Sequence, residues 1–291
     1  MDETLLQARG LEMAGRTSMV FGPVDMDLPR GQLGVVTGQQ GSGRSALLLA
    51  LAGRLKGVQG ELTVGEIDGI AHPRKLRREV SVARITGLAD LEPNLTIGES
   101  RDERAIAEGI GVRRGRERFA HLERELGHRF DPEQWVDRMP AVERTLLTLV
   151  LGCLAPSRYV VLDDIDESLT DRQLGWIHDG LDILLEDGQH VVMSALDQSP
   201  LPAKAVVWHL DKPTLPQDAG FVLHLPRHAQ DQASPTRPIP TRPADPTPDT
   251  PDTPDTPDTP DTPDTPDTPD TPDTPDTPDA PTDPTDTTKD A

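Results

Sequence analysis

A three-residue repeat sets the strongest limit on how this chain can fold. The sequence Pro-Asp-Thr recurs ten times without interruption over residues 248–277. Proline at every third position removes backbone donors and fixes φ, and the aspartates repel one another, so helix, sheet and a packed core are all excluded. The composition changes near Pro226. We therefore predict one globular domain over residues 1–225 and a disordered acidic tail over residues 226–291, extended like polyproline II in the repeat.

The distribution of charge and cysteine limits the partners and the compartment. Of the net charge of −21, the tail contributes −12, from 16 Asp against four Arg or Lys. Nucleic acids and anionic membranes repel such a chain, so we expect no nucleic-acid partner. Cys153 is the single cysteine, and no apolar run approaches the ~18 residues of a membrane span. The expected location is the cytoplasm, with any attachment to the inner face of the cell membrane made through a partner.

The globular part alternates apolar strand patterns with helical ones. Short runs rich in β-branched residues predict strands at 33–37, 80–83, 159–162, 191–194 and 205–208. Helical patterns cover residues 45–55 and 174–186. Strands of this kind are buried on both faces, so the predicted fold class is α/β with a largely parallel sheet.

A charged stretch over residues 98–140 interrupts this alternation and predicts a helical insertion. Its arginines group at Arg113, Arg114, Arg116 and Arg118. Two interpretations stay open, a solvated helix face with pairs four residues apart or a surface that contacts a partner.

The motif with the clearest chemistry follows the first of these strands and leads into a helix. Glycines let a loop curl so that its N–H groups converge, and the helix N-terminus adds its positive dipole, which together favour a phosphate. Such loops normally carry a lysine where this chain has Arg44, while Ser45 keeps the hydroxyl that holds Mg²⁺. The predicted nucleotide-binding residues are Gly38, Gln39, Gln40, Gly41, Ser42, Gly43, Arg44 and Ser45.

A second motif is the apolar strand at 159–162, which ends in Asp163 and Asp164. Taken alone, such a strand is common and mostly structural. Its order along the chain, after the phosphate loop and the charged insertion, gives it weight. Over about residues 4–215 this order resembles the nucleotide-binding domain of ABC transporters, which are P-loop NTPases.

The resemblance implies specific roles and partners. Asp163 would hold Mg²⁺ through water, and Asp164 would replace the glutamate that activates water for ATP hydrolysis. ATP and Mg²⁺ would be the cofactors. The chain would form a dimer with itself or with another ABC domain, and it would work with an integral-membrane permease.

Departures from the family pattern fall on the hydrolytic machinery. The signature segment corresponds to residues 139–142, which contain neither glycine nor serine, and no glutamine occurs at 84–87. Leu196 stands where a switch histidine is expected, and His190, before that strand, is predicted at the surface. The stacking aromatic is missing near residues 14–16, while Phe21 is assigned to the core. We therefore expect ATP binding with weak or absent hydrolysis.

Three functions are compatible with these motifs. The favoured one is an ATP-binding subunit of a transporter. The alternative is a non-transport ATP-binding or regulatory interaction protein with a vestigial nucleotide site. A P-loop kinase for small molecules fits least, because of the long spacing between the loop and Asp163 and the segment after Asp164, which resembles the family's D-loop.

Overall fold

The parallel strands form the centre of the fold. The computed structural model describes residues 4–16 and 18–213. Five strands align in parallel in the spatial order β6-β7-β8-β3-β9. Their bounds lie within two residues of the predicted ones: β3 Gly34–Thr37, β6 Val80–Arg84, β7 Tyr159–Leu162, β8 Val191–Ala195 and β9 Val206–His209. The predicted α/β class is therefore confirmed.

Alternate residues of these strands enter two different cores, which explains their uninterrupted apolar sequence. Val160 and Leu162 pack with the helices on one face. Val161 packs with a helix and a second sheet on the other. Phe21 is fully buried in this second core, as predicted. Cys153 is buried in the first core, where burial raises the pKa of its thiol to about 12.

Six helices occur in the described part of the chain. They are α1 Arg44–Leu51, α2 Pro73–Glu79, α3 Ile97–Ala107, α4 Val112–Glu125, α5 Ala141–Gly152 and α6 Asp171–Glu186. Helix α1 ends four residues before the predicted limit because Gly53 takes a left-handed conformation, with φ of 64°. No described helix is long and apolar enough to cross a membrane.

An antiparallel sheet, which the sequence patterns did not predict, covers α1 and the second core. Its spatial order is β2-β1-β4-β5, with bounds β1 Thr4–Ala14, β2 Met19–Pro29, β4 Val58–Val64 and β5 Ile67–Asp68. These strands alternate buried with exposed side chains and carry charged residues. Register shifts interrupt β1. The alternation has no long apolar run, so it lacks the pattern that predicts a strand buried on both faces.

The predicted insertion is helical and uses part of its charge internally. Helices α3 and α4 and a short 3-10 helix, Val136–Arg138, occupy it. Arg116 pairs with Asp102, which joins α4 to α3. Arg118 pairs with Asp187 at 2.6 Å and thereby joins α4 to the end of α6. Arg113 pairs with Glu117, four residues further on, at 3.7 Å. Three of the four clustered arginines therefore have partners among the described residues, and the Arg113 pair is of the kind that the first interpretation predicts.

The domain boundary at residue 225 and the tail stay predictions, because residues 214–291 lie outside the described residues.

Candidate functional site

The phosphate loop lies between the end of β3 and the start of α1, as the motif predicts. Gly41 and Gly43 have φ values of 82° and 93°, in the region that favours glycine. A Cβ atom at Gly43 would overlap the carbonyl oxygen of Val20 in β2. The loop therefore sits directly against the antiparallel sheet. Within the described residues no side chain caps the first turn of α1, which leaves N–H groups and the positive helix end for an anion.

A cavity of about 650 Å³ opens beside this loop. Five of the eight predicted loop residues line it: Gln40, Gly41, Gly43, Arg44 and Ser45. The other three do not. Ser42 is fully buried, and a Cβ atom at Gly38 would lie 2.6 Å from the carbonyl oxygen of Leu210. Residues from other parts of the chain complete the wall, among them Ser18, Met19, Val20, Thr86, Asp164 and Lys212.

Arg44 and Asp164 form an ion pair at the centre of the site. Both residues depart from the family pattern. Arg44 Nη2 donates a hydrogen bond of 2.9 Å to Asp164 Oδ1. The Arg44 side chain is only 7% exposed, and its Nη1 atom has no hydrogen-bond partner among the described residues. Burial and the neighbouring Asp163 carboxylate raise the pKa of Asp164, against the opposing effect of Arg44. Asp164 is thus the counterion of the loop's cation.

Asp163 occupies a different position from Asp164. It is fully buried and is not among the residues that line the cavity. Its carboxylate accepts hydrogen bonds from Ser194 Oγ, at 2.5 Å, and from the Thr86 N–H, at 3.3 Å. Of the two predicted Mg²⁺ ligands, Ser45 therefore borders the cavity and Asp163 lies behind it.

Arg84 is a site residue that the sequence patterns missed. It ends β6, next to the end of β7, in the stretch at 84–87 where the family pattern has a glutamine. Its Nε and Nη2 atoms donate to the carbonyl oxygen of Asp163 at 3.1 and 2.9 Å. Nη2 also donates to the carbonyl oxygen of Asp164. Asp164 has a φ of 43°, and these contacts hold its backbone in that unusual conformation. The only signal was an arginine directly after the predicted strand at 80–83, next to Ile85.

The remaining departures keep structural roles in this fold. The Leu196 N–H donates to Asp166 Oδ2 at 2.9 Å, which fixes the turn after β8. Met139 is buried, and Pro140 immediately precedes α5. His190 precedes β8, at the opposite end from Leu196, and is half-buried. No aromatic side chain occurs among the described residues that line the cavity.

The residues around the cavity suit a polyphosphate better than a metal ion alone. The orphaned Arg44 Nη1, the uncapped α1 and the glycines of the loop suit a phosphate group. Ser45 and Asp164 offer oxygen atoms at the cavity wall. The described part of the chain holds no group of three or more His, Cys, Asp or Glu residues that could bind a metal by themselves. A magnesium ion here would depend on phosphate oxygens and water for its other ligands.

Comparison with known proteins agrees with this geometry. A family model described as ABC transporter matches residues 21–166, half of the chain. The chain belongs to the ABC transporter family. Ribose import ATP-binding protein RbsA 3 of Rubrobacter xylanophilus is 23% identical over 244 residues, which cover 81% of this ABC chain and 47% of that protein. RbsA 1 of the same organism is 28% identical over 198 residues, which cover 65% of this chain and 38% of that protein. This ABC chain therefore spans less than half the length of these relatives.

Solved structures support the same fold for this ABC family member. The protein cbiO1 from Clostridium perfringens, part of the ABC transporter complex cbiONQ, superposes with a TM-score of 0.61 at 14% identity, covering 72% of this chain and 86% of that one. A bacterial ABC transporter cassette solved as a dimer superposes with a TM-score of 0.59 at 16% identity, covering 71% of this chain and 94% of that one.

Proposed function

We propose that this chain is an ATP-binding cassette subunit that binds Mg-ATP, hydrolyses it slowly or not at all, and works with a membrane permease in transport. The observation that carries the proposal is the glycine loop, which borders a cavity of about 650 Å³ and begins an uncapped helix. Glycine conformations and the helix dipole are independent of the lysine that the loop lacks. The nucleotide site therefore keeps the backbone part of phosphate binding.

Weak hydrolysis follows from what surrounds Asp164. A general base must be free to accept a proton from water, and this carboxylate is paired with Arg44 at 2.9 Å. Aspartate is also one methylene shorter than glutamate, and displacements of about an ångström can cost on the order of 100-fold in rate. Leu196 offers no polar side-chain atom where the switch histidine is expected. These changes affect catalysis far more than binding.

The proposed partners come from the relatives. The names of the RbsA proteins describe ATP-binding proteins of ribose import. One solved cassette with the same fold is dimeric. A permease partner and a dimer, with itself or with another ABC domain, are the corresponding proposals for this chain. The Arg44–Asp164 pair also supports the alternative, a regulatory interaction protein whose nucleotide site is vestigial.

Binding and turnover can be measured on the full chain. We expect saturable binding of a fluorescent ATP analogue in the presence of Mg²⁺, reversed by unlabelled ATP. Steady-state hydrolysis should remain well below ~1 per second, a rate at the low end for enzymes. Absence of binding up to millimolar nucleotide would contradict ATP binding and favour the regulatory alternative. Turnover faster than ~1 per second would contradict weak hydrolysis alone.

A further inference from the structure

Among the described residues that line the cavity, one cation has no carboxylate partner. Arg44, Asp164 and Lys212 line the cavity. Because Arg44 and Asp164 are joined at 2.9 Å, the cation of the loop is already offset by a protein carboxylate. The phosphates of ATP carry several negative charges, and binding them favours a cation that the protein has not neutralised.

Lys212 is held beside the loop by the backbone that follows β9. The Leu210 N–H donates to the carbonyl oxygen of Thr37, the last residue of β3, at 2.8 Å. The side chain of Leu210 is buried, and its carbonyl oxygen lies against Gly38. This anchor brings the Lys212 Cε atom to within 3.8 Å of the position that a Cβ atom would take at Gly41. The end of the Lys212 side chain therefore lies beside the loop and lines the same cavity.

Lys212 is free to bind an anion there. The residue is exposed, and no salt bridge joins it to another of the described residues, in contrast to Arg44. Deeper in the site, the buried Arg44 Nη1 atom lacks a hydrogen-bond partner in the described part of the chain. A buried guanidinium donor without a partner is costly unless a ligand or water satisfies it. The same cavity thus offers an unsatisfied donor on its inner wall and a free cation near the loop.

We infer that Lys212 is a phosphate-binding residue of this site, which supplies from the segment after β9 the lysine charge that the loop lacks. The inference rests on the proposed function and names a further residue for its ligand, a nucleoside polyphosphate. Arg44 contributes a planar donor group and Lys212 a mobile point charge, and the two kinds of cation suit phosphate oxygens in different ways. A chain of several phosphates can reach both, whereas one phosphate has less charge to share.

The experiment compares nucleotides of different phosphate number on full-length variants. Equilibrium binding of ATP, ADP and AMP with Mg²⁺ is measured at low ionic strength for the wild type, Lys212→Ala and Lys212→Arg. The matched control is Lys204→Ala. Lys204 is exposed and precedes β9. The first residue of β9, Val206, donates to the carbonyl oxygen of Leu33, just before β3. Lys204 therefore lies near the start of these strands, whereas the loop follows the end of β3. Thermal midpoints of all four proteins check that they fold.

We expect Lys212→Ala to weaken ATP binding by about tenfold or more, as for loss of a hydrogen bond to a charged group. The affinity of Lys212→Ala for AMP should change by less than about twofold, and so should the affinity of Lys204→Ala for ATP. Lys212→Arg should keep most of the ATP affinity because it retains the charge. Equal ATP affinity in Lys212→Ala and the wild type would overturn the inference and leave the proposed function standing. An equal loss for ATP and AMP would also overturn it. A wild type that binds no nucleotide would overturn the proposed function, and the inference with it.

Discussion

Arg44 and Asp164 are best understood together. Each alone is a modest departure from the family pattern, a lysine replaced by arginine and a glutamate by aspartate. In the fold they face each other at 2.9 Å, and Asp164 occupies the cavity wall beside Ser45. The carboxylate therefore repels an incoming phosphate and also competes with it for Arg44. The ion pair is a local obstacle to ligand binding as well as to catalysis.

Removal of this obstacle gives a test at the residue scale. We expect Asp164→Asn to tighten ATP binding by about threefold to tenfold, because one negative charge leaves a partly buried site and Arg44 becomes available. The measurement is the equilibrium binding of ATP to the full chain.

The control for this variant is Asp179→Asn, a change of the same charge at an exposed position of α6. Weaker ATP binding by Asp164→Asn would contradict the competition. It would instead indicate that the carboxylate helps to hold the ligand, for example through Mg²⁺.

The loop could be predicted from the sequence, and the pair could not. The loop is one continuous motif whose glycines and helix start are local, so eight consecutive residues suffice to predict it. Arg44 and Asp164 are 120 positions apart. Their contact depends on the order of the strands, because β8 separates β3 from β7 in the sheet. Arg84 and Lys212 reach the site for the same reason, through strand neighbours rather than through sequence neighbours.

At the scale of elements, the start of α6 is determined by polar capping residues rather than by the apolar pattern. The apolar periodicity predicted a helix from residue 174, whereas the helix begins at Asp171. The difference is a capping box: the Thr170 side chain accepts from the Gln173 N–H at 3.4 Å, and the Gln173 side chain accepts from the Thr170 N–H at 2.9 Å. Polar residues of the first turn do not appear in an apolar pattern, but the Thr-x-x-Gln spacing does predict this helix start.

This cap should be measurable in stability. We expect Thr170→Ala to lower the free energy of unfolding by about 1 kcal/mol, the usual cost of losing such a cap. Thr170→Ser, which keeps the hydroxyl, should cost much less. Urea denaturation of both variants gives the comparison, and equal values would mean that the hydroxyl does not stabilise the helix start.

At the scale of the whole molecule, we expect the described residues to be sufficient for the stability of the domain, without the acidic tail. The parallel sheet is covered on both faces, by α4, α5 and α6 on one side and by α1 and the antiparallel sheet on the other. The last described strand, β9, pairs with β3. The repeat itself, residues 248–277, contains only Pro, Asp and Thr, so it has no aliphatic or aromatic side chain of the kind that fills either core.

A chain that ends at residue 225 should therefore unfold at the same temperature as the full chain, within about 2 °C, which corresponds to roughly 1 kcal/mol or less for a domain of this size. A chain that ends at residue 204 lacks β9 and should be clearly destabilised. If the chain that ends at residue 225 instead unfolds at a clearly lower temperature, and the difference disappears near ~0.5 M salt, the aspartates of the tail dock on arginines of the domain. Arg113, Arg116 and Arg118 already pair with carboxylates of the described residues, which reduces the positive charge available for that docking.

The contact between Gly43 and the carbonyl oxygen of Val20 has a consequence for anyone who recombines this domain with its relatives. Val20 belongs to β2 and also lines the cavity, so the loop and the strand share one tight interface. A phosphate loop transplanted without the strand on which it rests would meet a different backbone and lose its curvature. At Gly41, by contrast, the one described neighbour of an added methyl group would be the Lys212 side chain, at an ordinary contact distance of 3.8 Å. A saturation library should therefore tolerate nothing but glycine at position 43, while position 41 is limited by φ alone.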